Sequence, residues 1–92
     1  MSAYIIVALT LRDAEAKNRY SAAAAPILTS FGGEIIAGGP LAALYGDQPF
    51  THGAIIRFED RDSARNFYDS PAYQALLEER ALGIDCRFIL LG

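Results

Sequence analysis

The sequence predicts an α+β domain of order β-α-β-β-α-β, with a four-stranded antiparallel sheet and its helices on one face. Three observations carry that prediction. Apolar, β-branched runs lie at both ends and in the middle of the chain; helical-period stretches separate them; Gly, Pro, Ser or Asp stands at each boundary. At 92 residues and 10.0 kDa the chain is one domain, 1–92.

The first strand is Ala3–Leu11, with Ile5, Val7, Leu9 and Leu11 on one side and Tyr4, Ile6 and Ala8 on the other. Both sides are apolar, so the strand is expected to be central. Asp13 is a helix N-cap, and Ala16, Tyr20, Ala23, Ala24, Ile27 and Phe31 recur at helical spacing behind it. Pro26 falls inside that pattern and predicts a kink over 22–26, because it lacks the N–H that would reach back one turn. Gly32 and Gly33 close the helix. Glu34–Ala37 begins a second strand that Gly38-Gly39-Pro40 is expected to interrupt, with Leu41–Tyr45 resuming it before a turn at Gly46-Asp47-Gln48-Pro49. Thr51–Glu59 alternates as a third strand. Asp60 or Asp62 caps a short helix carrying Ala64, Phe67 and Tyr68; Ser70-Pro71 starts a second, running through Tyr73, Leu76, Leu77 and Arg80 to Gly83. Ile84–Leu91 is the last strand, and the first and third strands are expected at the centre of the sheet.

Hydrophobic residues make up 52% of the chain. Folding a chain of this mass hides roughly 64% of its extended surface, which makes one modest core. The excess apolar surface needs a cover, and the face bearing Tyr4, Ile6 and Ala8 is the one the chain's own helices do not reach. A second copy packed sheet to sheet supplies that cover, so a homodimer through the sheet faces is expected. Eight basic against eleven acidic residues, net charge −3, leave no basic track for nucleic acid. No apolar run is long enough for a membrane span. The lone Cys86 makes no internal disulfide, and Met1-Ser2-Ala3 lacks the charged start of a secretory leader, so a cytoplasmic location is expected.

The order of motifs resembles a bacterial family of domains of unknown function, DUF1330, from end to end. The matching features are Tyr20, Ala25-Pro26, Phe31-Gly32-Gly33, Gly38-Gly39, Gly46, Ile56-Arg57-Phe58, Ala64, Tyr68, Ser70-Pro71-Ala72-Tyr73-Gln74, Arg80 and Leu91-Gly92. The resemblance implies a ferredoxin-like fold of the dimeric α/β-barrel kind. Relatives with that architecture include cofactor-independent monooxygenases, muconolactone isomerases and haem proteins similar to chlorite dismutase. Three positions depart from the family pattern: Ala37 where an Arg is usual, Tyr45 where a Glu is usual, and Phe67 where a Trp is frequent. Losing the Arg and Glu together removes an ion pair or a polar ligand contact.

His52 is the sole histidine and the first place to look for acid-base work near neutrality; the alternative is a hydrogen-bonded structural residue. No second His or Cys stands at metal-ligand spacing, so no metal and no cofactor is expected. Arg80 lies on the stripe of Tyr73, Leu76 and Leu77, turned toward the sheet, where its partner is either an anionic ligand or a carboxylate of the protein. With Tyr20 and Tyr68 it would line an aromatic cleft carrying one positive charge, though tyrosines at this spacing also serve as plain core. Gly38-Gly39 lacks the spacing of a dinucleotide fingerprint, and Cys86 has no cation on its own face of the strand to activate it. The expected function is binding of a small organic molecule in the helix-sheet cleft by Tyr20, His52, Tyr68 and Arg80. Catalysis, if present, would be cofactor-independent isomerisation or oxygenation with His52 or a tyrosine moving the proton. The alternative is a non-catalytic dimerisation or ligand-sensing module.

Overall fold

A computed structural model describes residues 1–92. The strands are β1 (Ala3–Leu11), β2 (Glu34–Pro40), β3 (His52–Phe58) and β4 (Ile84–Leu91), and the helices are α1 (Ala14–Ser30), α2 (Arg61–Asp69), α3 (Pro71–Gln74) and α4 (Leu77–Gly83). The strands form one four-stranded sheet in the order β2-β3-β1-β4, antiparallel throughout, with β3 and β1 central. This is an α+β, ferredoxin-like arrangement.

Local chemistry sets each boundary. The Asp13 carboxylate accepts from the Glu15 N–H to start α1, that of Asp60 accepts from the Ser63 N–H at 2.8 Å to start α2, and the Ser70 hydroxyl accepts from the Tyr73 N–H before Pro71. At the far end of α1, Gly32 turns left-handed at φ 77°. The Gly33 N–H then reaches Leu28 O at 3.0 Å and the Gly32 N–H reaches Thr29 O at 2.9 Å, satisfying two carbonyls the helix would otherwise strand.

The helix runs through Pro26 without interruption, leaving the Ala22 carbonyl without its usual donor. Three sequence expectations are revised. β2 continues through the glycine pair, and its irregularity lies earlier, at Ile36, where the register to β3 shifts between Ile35 and Ala37. Leu41–Tyr45 is an exposed loop and not a strand, since the chain leaves the sheet at Pro40. The last helical stretch divides at Ala75-Leu76, where the Leu76 N–H bonds three residues back to Tyr73 O and tightens the turn.

The core lies between the helices and one face of the sheet. Ile5, Val7, Ile56 and Phe58 supply the sheet side, and Tyr20, Leu28, Ala64, Phe67 and Tyr73 the helix side. The other face carries Tyr4, Ile6, Ala8, Ile55, Ile89 and Leu91, aligned across β3, β1 and β4 with no helix over them. The accessible surface is 5968 Å². That is about 15% above the roughly 5,200 Å² that a monomer of this mass exposes.

Candidate functional site

The helix layer does not close over the whole inner face. Between α1 and the strands β1 to β3 a cleft of about 580 Å³ remains, within the range of small-molecule sites. Val7, Leu9, Ala24, Leu28, Ile56, Phe67, Ile84 and Phe88 form its apolar walls, while Lys17, Ser21, Thr29 and Glu34 contribute polar groups. Lys17 is half-buried and the other three are exposed. Tyr20 lines the same space and is 9% exposed.

Behind Tyr20 stands a hydrogen-bonded cluster joining α1 to the second helical region. Tyr20 Oη lies 2.5 Å from Tyr73 Oη. Arg80 Nη1 donates to Tyr73 Oη at 3.1 Å and to Tyr68 Oη at 3.0 Å. The guanidinium also sits 4.8 Å from the Phe88 ring centre and 5.7 Å from that of Tyr68, positions in which the ring faces attract a cation. Arg80 has no carboxylate partner; its charge is held by phenol oxygens and rings. Arg19 on α1 differs, pairing at the surface with Glu79.

Burial is the main cause that pushes the Tyr20 hydroxyl well above the usual phenol range, with the adjacent Tyr73 adding to it. Burial raises Tyr73 too, against the opposing hydrogen bond and positive charge of Arg80. For Arg80, burial acts to lower the pKa, but the hydrogen bonds to Tyr68 and Tyr73 outweigh it and the guanidinium stays firmly protonated. Near neutrality Arg80 is therefore a fixed cation beside the neutral phenols of Tyr20 and Tyr73, with no base between them.

The structure thus brings Tyr20, Tyr68 and Arg80 into one network. His52 stands apart. It begins β3 opposite Leu9 and Pro40, is exposed, and places Nδ1 2.9 Å from Thr51 Oγ1 without lining the cleft. Tyr73, which the sequence places on the helical stripe of Arg80 but not among the candidate site residues, belongs to the same network. It is 0% exposed and connects Arg80 to Tyr20. The signal was its place one face-repeat, seven residues, before Arg80, because a buried phenol on an arginine's stripe needs a partner for its hydroxyl. Cys86 is half-buried near Arg80 with its thiol pKa raised chiefly by burial, the opposite of an activated nucleophile.

The positions that depart from the family pattern fall elsewhere, with one exception. Ala37 lies opposite Ile55 and lines a shallow hollow of about 470 Å³ between β2 and β3, and Tyr45 is fully exposed in the loop after β2. Neither touches the cleft, whereas Phe67 is part of its wall. No group of His, Cys, Asp and Glu is arranged to hold a metal ion. No helix is long and apolar enough to cross a membrane.

The family model described as a domain of unknown function, DUF1330, matches residues 2–92. No curated protein matches the sequence. Among solved structures, the RPA0582 protein of unknown function from Rhodopseudomonas palustris superposes with a TM-score of 0.79 at 20% identity, covering 98% of this chain and 80% of that one. SnoaB, a cofactor-independent oxygenase from Streptomyces nogalater, gives 0.70 at 14% identity, covering 99% and 91%. A dimeric ferredoxin-like protein of unknown function from Thermobifida fusca gives 0.63 at 15% identity, covering 100% and 91%. At these identities the likeness is one of fold.

Proposed function

The chain belongs to the DUF1330 family, and from that premise we propose that it is a homodimer whose protomers each bind a small, mostly apolar organic molecule in the cleft between α1 and the sheet. The observation that carries the binding reading is the coincidence of an apolar space of about 580 Å³ with a single buried hydroxyl, that of Tyr20, wired to a half-buried cation. An ordinary core would have filled that volume with side chains. The homodimer reading rests on the uncovered apolar face of the sheet and on the surface that exceeds a monomer's norm. Dimeric relatives of the same fold support it.

Cofactor-independent isomerisation or oxygenation is the catalytic form of this proposal, and the likeness in fold to SnoaB supports it. In that form the Tyr20 hydroxyl stabilises negative charge developing on a substrate oxygen. The non-catalytic reading, a ligand-sensing module, draws on a different observation: the Arg80–Tyr73–Tyr20 network behind the cleft carries no base, and the one histidine lies outside the cleft. A cytoplasmic location belongs to either form.

Binding of 8-anilinonaphthalene-1-sulfonate tests the cleft. Saturable binding by the native protein that Ala24→Trp weakens at least tenfold, with the fold retained, is the expected result. Binding that is indifferent to this plug would remove the cleft from consideration.

A further inference from the structure

We infer that Tyr20 is the terminal donor of a one-way hydrogen-bond chain, so that the cleft receives its ligand through one acceptor oxygen, carbonyl or anionic, on an otherwise apolar body; this rests on the cleft reading above. The direction of the chain follows from counting protons. A guanidinium carries donors only, so Tyr68 Oη and Tyr73 Oη both accept from Arg80 Nη1. Tyr73 is fully buried, and its oxygen has one other polar neighbour, Tyr20 Oη at 2.5 Å. A phenol has a single proton to give. If Tyr20 donated to Tyr73, the Tyr73 proton would be stranded in the core without an acceptor, an arrangement that folded proteins avoid. The Tyr73 proton therefore goes to Tyr20, and Tyr20 does not donate back.

Tyr20 is left holding a proton for which the protein offers no acceptor; its side chain lines the cleft, and it is there that the inference places the partner of that proton. The chain runs from a positive charge through two hydroxyls, and each bond polarises the next, so the last proton is a stronger donor than an isolated phenol's. Such a group selects for an oxygen bearing negative charge and against amines and other donors, which the positive Arg80 also disfavours. The walls set the rest of the ligand: Phe67, Phe88, Leu28 and Ile56 accept a ring-sized apolar body.

Two probes separate this inference from the cleft reading beneath it. p-Nitroanisole has the apolar ring without an ionisable oxygen, and p-nitrophenol reports its own ionisation by colour. We expect the wild-type protein to bind p-nitrophenolate at least tenfold more tightly than p-nitrophenol, so that the bound probe turns yellow about one pH unit lower than the free one. Tyr20→Phe should erase that preference while leaving p-nitroanisole affinity within twofold. Tyr73→Phe retains the Tyr20 hydroxyl but unlinks it from Arg80, and should cut the preference at least threefold. A wild-type protein that binds p-nitroanisole yet shows no preference for the phenolate overturns the inference alone, and that measurement needs no variant. A preference that survives Tyr20→Phe, or stands undiminished in Tyr73→Phe, overturns it equally. If p-nitroanisole itself does not bind, the cleft reading falls and the inference with it.

Discussion

The two faces of the sheet are built from similar side chains and meet different fates. On one, Ile5, Val7, Ile56 and Phe58 are all less than 9% exposed beneath the helices. On the other, Ile89 and Leu91 remain 48% and 56% exposed, beside Tyr4, Ile6 and Ile55, which only their neighbours in the sheet shield. Hydrophobicity alone does not distinguish the two; the crossover rule does, because both helical connections must pass over the same side of the sheet. The lesson is that one face serves the folding of the chain, while the other is free for the assembly proposed above.

Substitutions on each face test that division. Phe58→Ala empties part of the inner core and should cost about 3–5 kcal/mol, lowering Tm by more than ~12 °C at roughly 4–8 °C per kcal/mol, measured by calorimetry. Ile6→Asp on the opposite face should leave the far-ultraviolet circular dichroism spectrum unchanged and convert the proposed dimer to a 10.0 kDa species in sedimentation. A variant that instead unfolds outright would show that both faces serve folding, and the division would fail. Tyrosine ionisation probes the inner side without mutation. Burial raises the folded-state pKa values of Tyr20 and Tyr73 above the 10.0 of a free phenol, so their contribution to stability is complete below pH 10 and is lost as pH rises further, when the unfolded chain gives up protons first. Spectrophotometric titration should show these two among the five tyrosines ionising together with unfolding. The smallest effect lies at the exposed cap of α2. Hydrogen bonding from Ser63 lowers the Asp60 carboxyl below its ordinary 3.8, so this stabilising contribution is present above pH ~4 and fades as pH falls through the depressed value. Asp60→Asn should flatten that part of the acid limb in urea titrations.

The sequence made the fold legible because its signals are local. The alternation in Ala3–Leu11 and Ile84–Leu91, the Asp13 and Asp60 caps and the Ser70-Pro71 start each act within a few residues, and all stand where expected. The errors arose where a tertiary constraint overrode a local one. Gly38 and Gly39 look like an interruption, yet they pair with Ala54 and Gly53, and at Gly53 a side chain would run into Leu41 and the Val7 carbonyl. Pro26 costs α1 one hydrogen bond, and the helix still runs its full 17 residues to Ser30, close to the Gly32-Gly33 end expected of it. Tyr20, Tyr68 and Arg80 could be chosen from residue type and helical face, whereas the role of Tyr73 depends on a partner 53 residues away that no periodicity reveals.

That separation also governs when the site comes into being. Arg12 and Asp13 both donate to the Gly83 carbonyl, at 2.8 and 3.1 Å, and Gly83 packs so closely on the backbone of Ala16 and Lys17 that no side chain fits between. The hydroxyl pair of Tyr20 and Tyr73 lies just beyond this junction of α1 and α4. Contacts so distant along the chain close large loops and form late in folding. The Arg80 bonds to Tyr68 and Tyr73 lie within one stretch of the chain, but the link to Tyr20 joins its two halves, so the hydrogen-bond chain is complete only once α1 has docked on the C-terminal helices.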